Sequence, residues 1–343
     1  PTAAEASISG QITTPDGQPL AGAVIHLSGP KSARTITDAD GHYKFENVDT
    51  GSFYTLAPSR ANFSFSPSER AFSLNAVKTD AVFTANPLPA QSANPLDTEM
   101  YFVRQQYLDF LGREADEGGL QYWTGELDKC GTDSQCLSNR RVGIAAAFFM
   151  EREHQETGSF VYRLYKGALG RQLSYAEFNT DRSRVIGGTG LEEKQSELAA
   201  AFVQRAEFMQ KYEGRNGAES FVDALLANVR QASGVDLSGQ RNTLIATYHT
   251  GADQNQSRSI ALRELIDESA LRDAEYNSSF VLMEYFGYLK RDPDADGYRF
   301  WLNVLDNKEP GNYRGMVCSF ITSTEYQSRF ASVISHSNRE CGQ

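Results

Sequence analysis

No stretch of this 343-residue chain approaches the ~20 consecutive apolar residues that a membrane-crossing helix needs. The longest apolar run, near residues 144–150, is far shorter, so no membrane span is expected. Basic residues are in deficit: 33 Lys and Arg stand against 44 Asp and Glu, a net charge of −11. Residues 1–90 hold six bases and eight acids, so most of the excess lies downstream. That balance argues against a nucleic-acid partner, because phosphate binding needs clustered Lys and Arg. Catalytic motifs are missing too. There is no Gly-x-Ser-x-Gly, no His-Glu-x-x-His and no Gly-x-x-x-x-Gly-Lys-Ser/Thr. Gly187-Gly188-Thr189-Gly190 lacks the lysine of a phosphate loop and the spacing of a dinucleotide fingerprint, and reads as a flexible loop. No catalytic or cofactor-binding residue is therefore expected, and the chain does not read as an enzyme.

What is present suffices for more than one folded core, with 40% hydrophobic and 11% aromatic residues. The four cysteines fall into two local pairs, Cys130 with Cys136 and Cys318 with Cys341. Neither pair has Cys-x-x-Cys spacing, and no histidine stands at zinc-ligand distance from them. Disulfides Cys130–Cys136 and Cys318–Cys341 are expected, which implies an oxidising compartment; the alternative is four buried thiols in a cytosolic protein. The opening Pro-Thr-Ala-Ala shows no signal peptide and reads as a mature or trimmed start.

Residues 1–86 predict a small antiparallel β-sandwich. Short β-rich runs recur about every ten residues, at Ile8 to Ile12, Val24 to Leu27, Thr35 to Thr37, His42 to Phe45, Phe53 to Leu56, Phe63 to Phe65 and Ala81 to Phe83. Pro15-Asp16-Gly17 and Asp38-Ala39-Asp40-Gly41 are turns whose glycines can take positive φ. The phrases Asp16-Gly17-x-Pro19-Leu20-x-Gly22-Ala23, Thr37-Asp38-x-x-Gly41-x-Tyr43-x-Phe45 and Gly51-x-x-Tyr54 resemble the carboxypeptidase regulatory-like domain. That resemblance implies a transthyretin-like sandwich serving as a spacer in an exported protein, without peptidase activity. The chain agrees, since none of its five histidines has a glutamate three residues later, as a zinc carboxypeptidase would need. His26 and His42 read as strand surface residues.

Residues 87–96, Pro- and Ala-rich, read as a semi-rigid linker. From 97 to 343 the period changes to that of helices, and an all-helical domain of about four ~60-residue repeats is expected. Phe-Val recurs at Phe102, Phe160, Phe221 and Phe280, with spacings of 58, 61 and 59 residues. The stripe Val103, Tyr107, Phe110, Leu111 returns as Val161, Tyr165, Ala168, Leu169 and as Val281, Tyr285, Tyr288, Leu289, the face of an amphipathic helix. Ser159, Ser220 and Ser279 suit N-caps, and Gly112 and Gly170 suit left-handed C-caps. A basic residue follows at Arg113, Arg171 and Arg291, and ten residues after the first and last stand the only tryptophans, Trp123 and Trp301. Each unit closes on a Phe-x-x-x-x-Glu-aromatic helix: Phe148 to His154, Phe202 to Phe208, Phe320 to Tyr326, with Leu265 to Leu271 a worn copy. His154 therefore reads as a packing position, and the tryptophans as repeat anchors that staple helix to helix.

The phrases Tyr107-Leu-Asp-Phe-Leu-Gly-Arg113, Gly119-Leu-Gln-Tyr-Trp123 and Phe320-Ile-Thr-Ser-Thr-Glu-Tyr326 resemble the bacterial domain-of-unknown-function family 4214. The family is itself reminiscent of phycobilisome linkers and occurs in secreted and surface-layer-associated proteins. Asp292, Asp294, Asp296 and Gly297 match the start of a calcium loop, but position 12 is Asn303 instead of a bidentate Glu. Helix capping is the preferred reading of these acids, and calcium the alternative. Together these features predict a secreted or cell-surface structural or adhesive protein without a cofactor. It would self-associate into an oligomer or polymer through the apolar arm of residues 1–6 adding to a sheet edge. The alternative is a carbohydrate-binding accessory module that meets an extracellular glycan through Trp123 or Trp301.

Overall fold

The computed structural model describes residues 5–341. Among the described residues eight strands and then a succession of helices follow one another in chain order: a β-sandwich, then an all-helical region. The strands are β1 (Glu5–Thr13), β2 (Val24–Ser28), β3 (Ala33–Ile36), β4 (His42–Asp49), β5 (Ser52–Ser59), β6 (Phe63–Ser66), β7 (Arg70–Leu74) and β8 (Phe83–Pro87). They form two four-stranded sheets, ordered β4-β1-β8-β6 and β3-β2-β5-β7. Pairing is antiparallel except between β1 and β8, where Ile12 and Thr13 run parallel to Phe83 and Thr84. Alternation along β1, β4 and β5 sends Ile8, Ile12, Tyr43, Phe45, Tyr54 and Leu56 into a single core. Gly17 and Gly41 take positive φ, as their turns require. Strand β7 was not anticipated. Its burial does alternate, Arg70, Phe72 and Leu74 lying inward of exposed Ala71 and Ser73, but only Leu74 is fully buried.

By compactness the chain divides into two units. One comprises Pro1–Leu108, Glu114–Ile144 and Cys318–Gln343; the other comprises Asp109–Arg113 and Ala145–Val317. The linker lies inside the first unit and is bonded to it. Asn62 Oδ1 accepts from the Ser92 and Ala93 amides, and Asn94 Nδ2 donates to the Gln327 and Val333 carbonyls. Both disulfides form in this unit, Cys130–Cys136 and Cys318–Cys341. The first closes a loop with a sequence separation of 6. The double change Cys130→Ser/Cys136→Ser is expected to lower stability by about 2 kcal/mol in the chain-entropy model. Chemical denaturation that showed no loss would refute that.

The helices carrying the Phe-Val anchors are buried along the predicted stripe. Val103, Val161, Val222 and Val281 are fully buried. The helix ends differ in part from expectation. Ser159, Ser220 and Ser279 are not N-caps, because their helices start earlier, at Gly158, Ala218 and Tyr276, after Thr157, Gly217 and Glu275. At Thr157 and Glu275 one residue separates two successive helices, and neither side chain makes a cap bond. At the C-terminal ends Gly112 and Gly170 are left-handed, with φ of 68° and 73°. The equivalent place in the last repeat is held by Lys290, also left-handed at φ 56°. Its ammonium lies 2.9 Å from the carboxylate of buried Asp109, a contact that glycine could not make and that offsets the cost of the conformation.

Candidate functional site

Three positions after each anchor arginine stands a helix N-cap. Asp116 Oδ1 accepts from the Gly119 amide, Ser174 Oγ from Glu177, and Asp294 Oδ1 from Gly297. Gly119 and Gly297 are the residues those caps bond, and both are glycine for a second reason. A Cβ there would collide with the hydroxyl of the stripe tyrosine, Tyr107 or Tyr285. The local geometry of the repeat thus follows from an arginine, a cap and a glycine at fixed intervals.

The anchor arginines answer the glutamates of the closing helices. Arg113 donates from Nε and Nη2 to the two oxygens of Glu153, both at 2.6 Å. Arg171 does the same to Glu207 at 2.7 Å and also holds Glu177. The partners are 40 and 36 residues apart. Bidentate Arg–carboxylate geometry of this kind fixes direction as well as distance. Arg171 and Arg291 further lie over the rings of Tyr165 and Tyr285, at 5.2 and 5.3 Å. Sequence reading named the arginines and the glutamates separately and did not pair them. Their complementary charge at recurring positions was the available signal.

In the second repeat the position of the tryptophan, ten residues after Arg171, is Asp181. Its buried carboxylate accepts from the Tyr165 hydroxyl at 2.8 Å and from Arg205 at 2.6 and 2.8 Å. Burial, with the Asp181 hydrogen bond behind it, pushes the Tyr165 phenol well above its usual range. A polar network thus replaces an aromatic anchor.

Trp123 and Trp301 occupy the seventh position of the helices Glu117–Asp128 and Ala295–Asn303. Both are half-buried, not core residues. Each meets the preceding aromatic edge to face, Tyr122 with Trp123 at 5.0 Å and Phe300 with Trp301 at 5.1 Å. Tyr122 and Phe300 are exposed, at 61% and 52%. The aspartates of the calcium-like stretch are divided among three tasks. Asp292 accepts from the Tyr175 amide, Asp294 caps its helix, and Asp296 pairs with Arg299. Among the described residues no group of three or more His, Cys, Asp or Glu is gathered as a metal site would be.

His154 is buried between Phe110 and Phe149, at 5.7 and 4.9 Å, as its repeat position implied. Burial lowers its pKa to about 4, so the ring is neutral at pH 7. Glu284 is fully buried and neither carboxylate oxygen has a partner. Burial raises its pKa well above the usual range.

Two hollows stand out. In the first unit a cleft of about 660 Å³ is lined by charged and polar residues that include Arg34, His42, Lys44, Glu46 and Glu117. In the second unit a smaller cavity of about 180 Å³ reaches the helix ends around Ser159 and Ser279. Neither Trp123 nor Trp301 lines either one.

Residues 7–84 match the family model of the carboxypeptidase regulatory-like domain. Residues 268–334 match the domain of unknown function DUF4214, which spans the last repeat. That match is narrower than the resemblance across the helical region, although the first two repeats share its arginine, cap and glutamate positions. No curated protein matches the chain.

Proposed function

We propose that this protein is a non-catalytic structural or adhesive component of an extracellular or cell-surface system, and that it self-associates. The observation that carries the reading is the fate of the repeat's recurring charged residues. Arg113 and Arg171 are held in bidentate pairs with Glu153 and Glu207, so these groups brace a scaffold instead of facing a substrate. Two disulfides suit an oxidising environment, and the sandwich matches the carboxypeptidase regulatory-like domain, a resemblance that implies a spacer. Strands β3, β4, β6 and β7 end their sheets, and sheet edges are templates for strand addition. Of the apolar arm, Glu5 and Ala6 already lie in β1 and pair with Asp49 and Val48 of β4, and residues 1–4 lie outside the described residues. Sheet edges are therefore the better supported contact.

Light scattering on the 343-residue chain tests this reading. Masses that grow with concentration are expected, and a constant mass near 38.0 kDa would end it. The second reading, a carbohydrate-binding accessory module, is favoured by the exposed Tyr122 and Phe300 beside their tryptophans.

A further inference from the structure

Residues 332–341 form a strap across the first unit, with no helix or strand beyond the single turn Asn338–Glu340. Side chains and the Cys318–Cys341 disulfide hold it down. The strap in turn holds the linker. The Ser332 amide donates to Gln91 Oε1, the Val333 carbonyl accepts from Asn94 at 2.8 Å, and Ser335 Oγ donates to Asp97 at 2.6 Å. Gln327 fastens the middle: its Oε1 accepts from the Ser335 and His336 amides, both at 2.9 Å, and its Nε2 donates to the His336 carbonyl.

The ring of His336 is the one fastening that titrates near neutral pH. Nδ1 lies 2.9 Å from Glu340 Oε2, while Nε2 lies 2.7 Å from Arg141 Nη1 and 3.2 Å from Asp97 Oδ1. The two contacts at Nε2 exclude each other. Arg141 can only donate, so its bond needs a bare Nε2 and a neutral ring that keeps its proton on Nδ1 for Glu340. The Asp97 carboxylate can only accept, so its bond needs a proton on Nε2 as well, which makes the ring an imidazolium. The other neutral tautomer would set a bare Nδ1 against the Glu340 carboxylate. Arg141 keeps a bond from Nη2 to the Asp97 carbonyl at 2.6 Å in either case. The His336 side chain is 24% exposed, so solvent protons reach it.

The charged groups around the ring come from three places: Asp97 of the turn Pro95–Asp97, Arg141 of the helix Ser134–Met150 and Glu340 of the strap itself. Glu99, two residues beyond Asp97, acts on Arg141. The helices on the remaining side contribute the Tyr326 phenol and the neutral Thr322 and Gln327. Two carboxylates against one guanidinium favour the charged ring. The Asp97 hydrogen bond, working against burial, raises the His336 pKa above its ordinary 6.5. A folded-state pKa raised in this way gives stability that is fully present below pH 6.5 and is lost as pH rises through the folded value.

We infer that the strap is a pH-sensitive latch on the linker, fastened in mild acid and slack in mild alkali, with His336 exchanging Asp97 for Arg141 as it loses its proton. The test is hydrogen exchange of residues 332–341, read by mass spectrometry on the 343-residue protein at pH 5.5 and 8.5 and corrected for intrinsic rates. Protection is expected to fall by about ten-fold at the higher pH, the worth of one charge-assisted hydrogen bond. His336→Gln keeps a polar side chain but cannot titrate, so it should abolish the fall, and Asp97→Asn should shrink it. Circular dichroism checks that both variants are folded; if the glutamine variant is not, the asparagine variant carries the test. An NMR titration of the parent should place the His336 ring above 6.5, and Asp97→Asn should lower it. Equal protection at the two pH values overturns the inference. So does a fall that persists undiminished in the folded variants, or a His336 ring that titrates at or below 6.5.

Discussion

Asp181→Ala is expected to destabilise the protein by about 3–5 kcal/mol, the loss seen when one partner of a buried charge pair is removed. The carboxylate is almost wholly inaccessible and has three hydrogen bonds, one from Tyr165 and two from Arg205. Its removal leaves the Tyr165 phenol without its acceptor and Arg205 with only the Tyr165 hydroxyl oxygen, at 2.8 Å, in place of a carboxylate. Arg205 is partly exposed but also packs over the Phe202 ring at 4.6 Å, so turning to solvent recovers only part of the loss. Asp181→Asn keeps the shape and one acceptor oxygen, so it should lose roughly half as much. Replacing both charges, as Asp181→Leu/Arg205→Met, should recover part of the loss, because no charge is then left uncompensated. Urea midpoints at pH 7 measure all four proteins. An alanine variant within ~1 kcal/mol of the parent would show that the network is ornamental.

This network also marks where sequence stopped being readable. Periodicity gives the repeat, since Val and Tyr at helical spacing are apolar because they are buried. The turn glycines of the sandwich were readable for a similar reason: positive φ is a local property, and one residue declares it. Pairings across 36 to 40 residues are not local, and Arg113 does not reveal that Glu153 is its partner. Asp181 was harder still. It breaks the repeat's own rule, and an aspartate in the place of a tryptophan reads as loss when it is substitution by a different bond. The serine caps failed for a further reason. The chain passes from helix to helix through Thr157 and Glu275 without a side-chain cap, so the usual signal was absent at the true start. In the calcium-like stretch, spacing suggested two uses for the same acids. Only the placement of Tyr175 and Arg299 shows Asp292 and Asp296 engaged separately.

Glu284→Leu should stabilise the protein, by about 3 kcal/mol at pH 8. A carboxyl group without a partner in the core forfeits its hydration and gains nothing in return. Leucine is close to glutamate in size and has no polar atom to satisfy. The pH dependence identifies the cause. In the unfolded chain Glu284 ionises near the ordinary value of 4.5, whereas burial keeps the folded form protonated to higher pH. Between those two values the folded state binds more protons than the unfolded one, so stability attributable to this group falls as pH rises. Below the unfolded pKa both states are protonated, and only the unpaired neutral carboxyl remains as a cost. The advantage of the leucine variant should therefore be smallest near pH 4 and widen towards pH 8. Glu284→Gln separates the two contributions. It removes the ionisation but keeps unpaired polar atoms, so its advantage should also widen with pH while staying below that of leucine. Denaturation midpoints of the three proteins at pH 4, 6 and 8 decide the matter. A leucine variant no more stable than the parent at pH 8, or an advantage that shrinks as pH rises, would mean that the carboxylate is solvated or paired in solution.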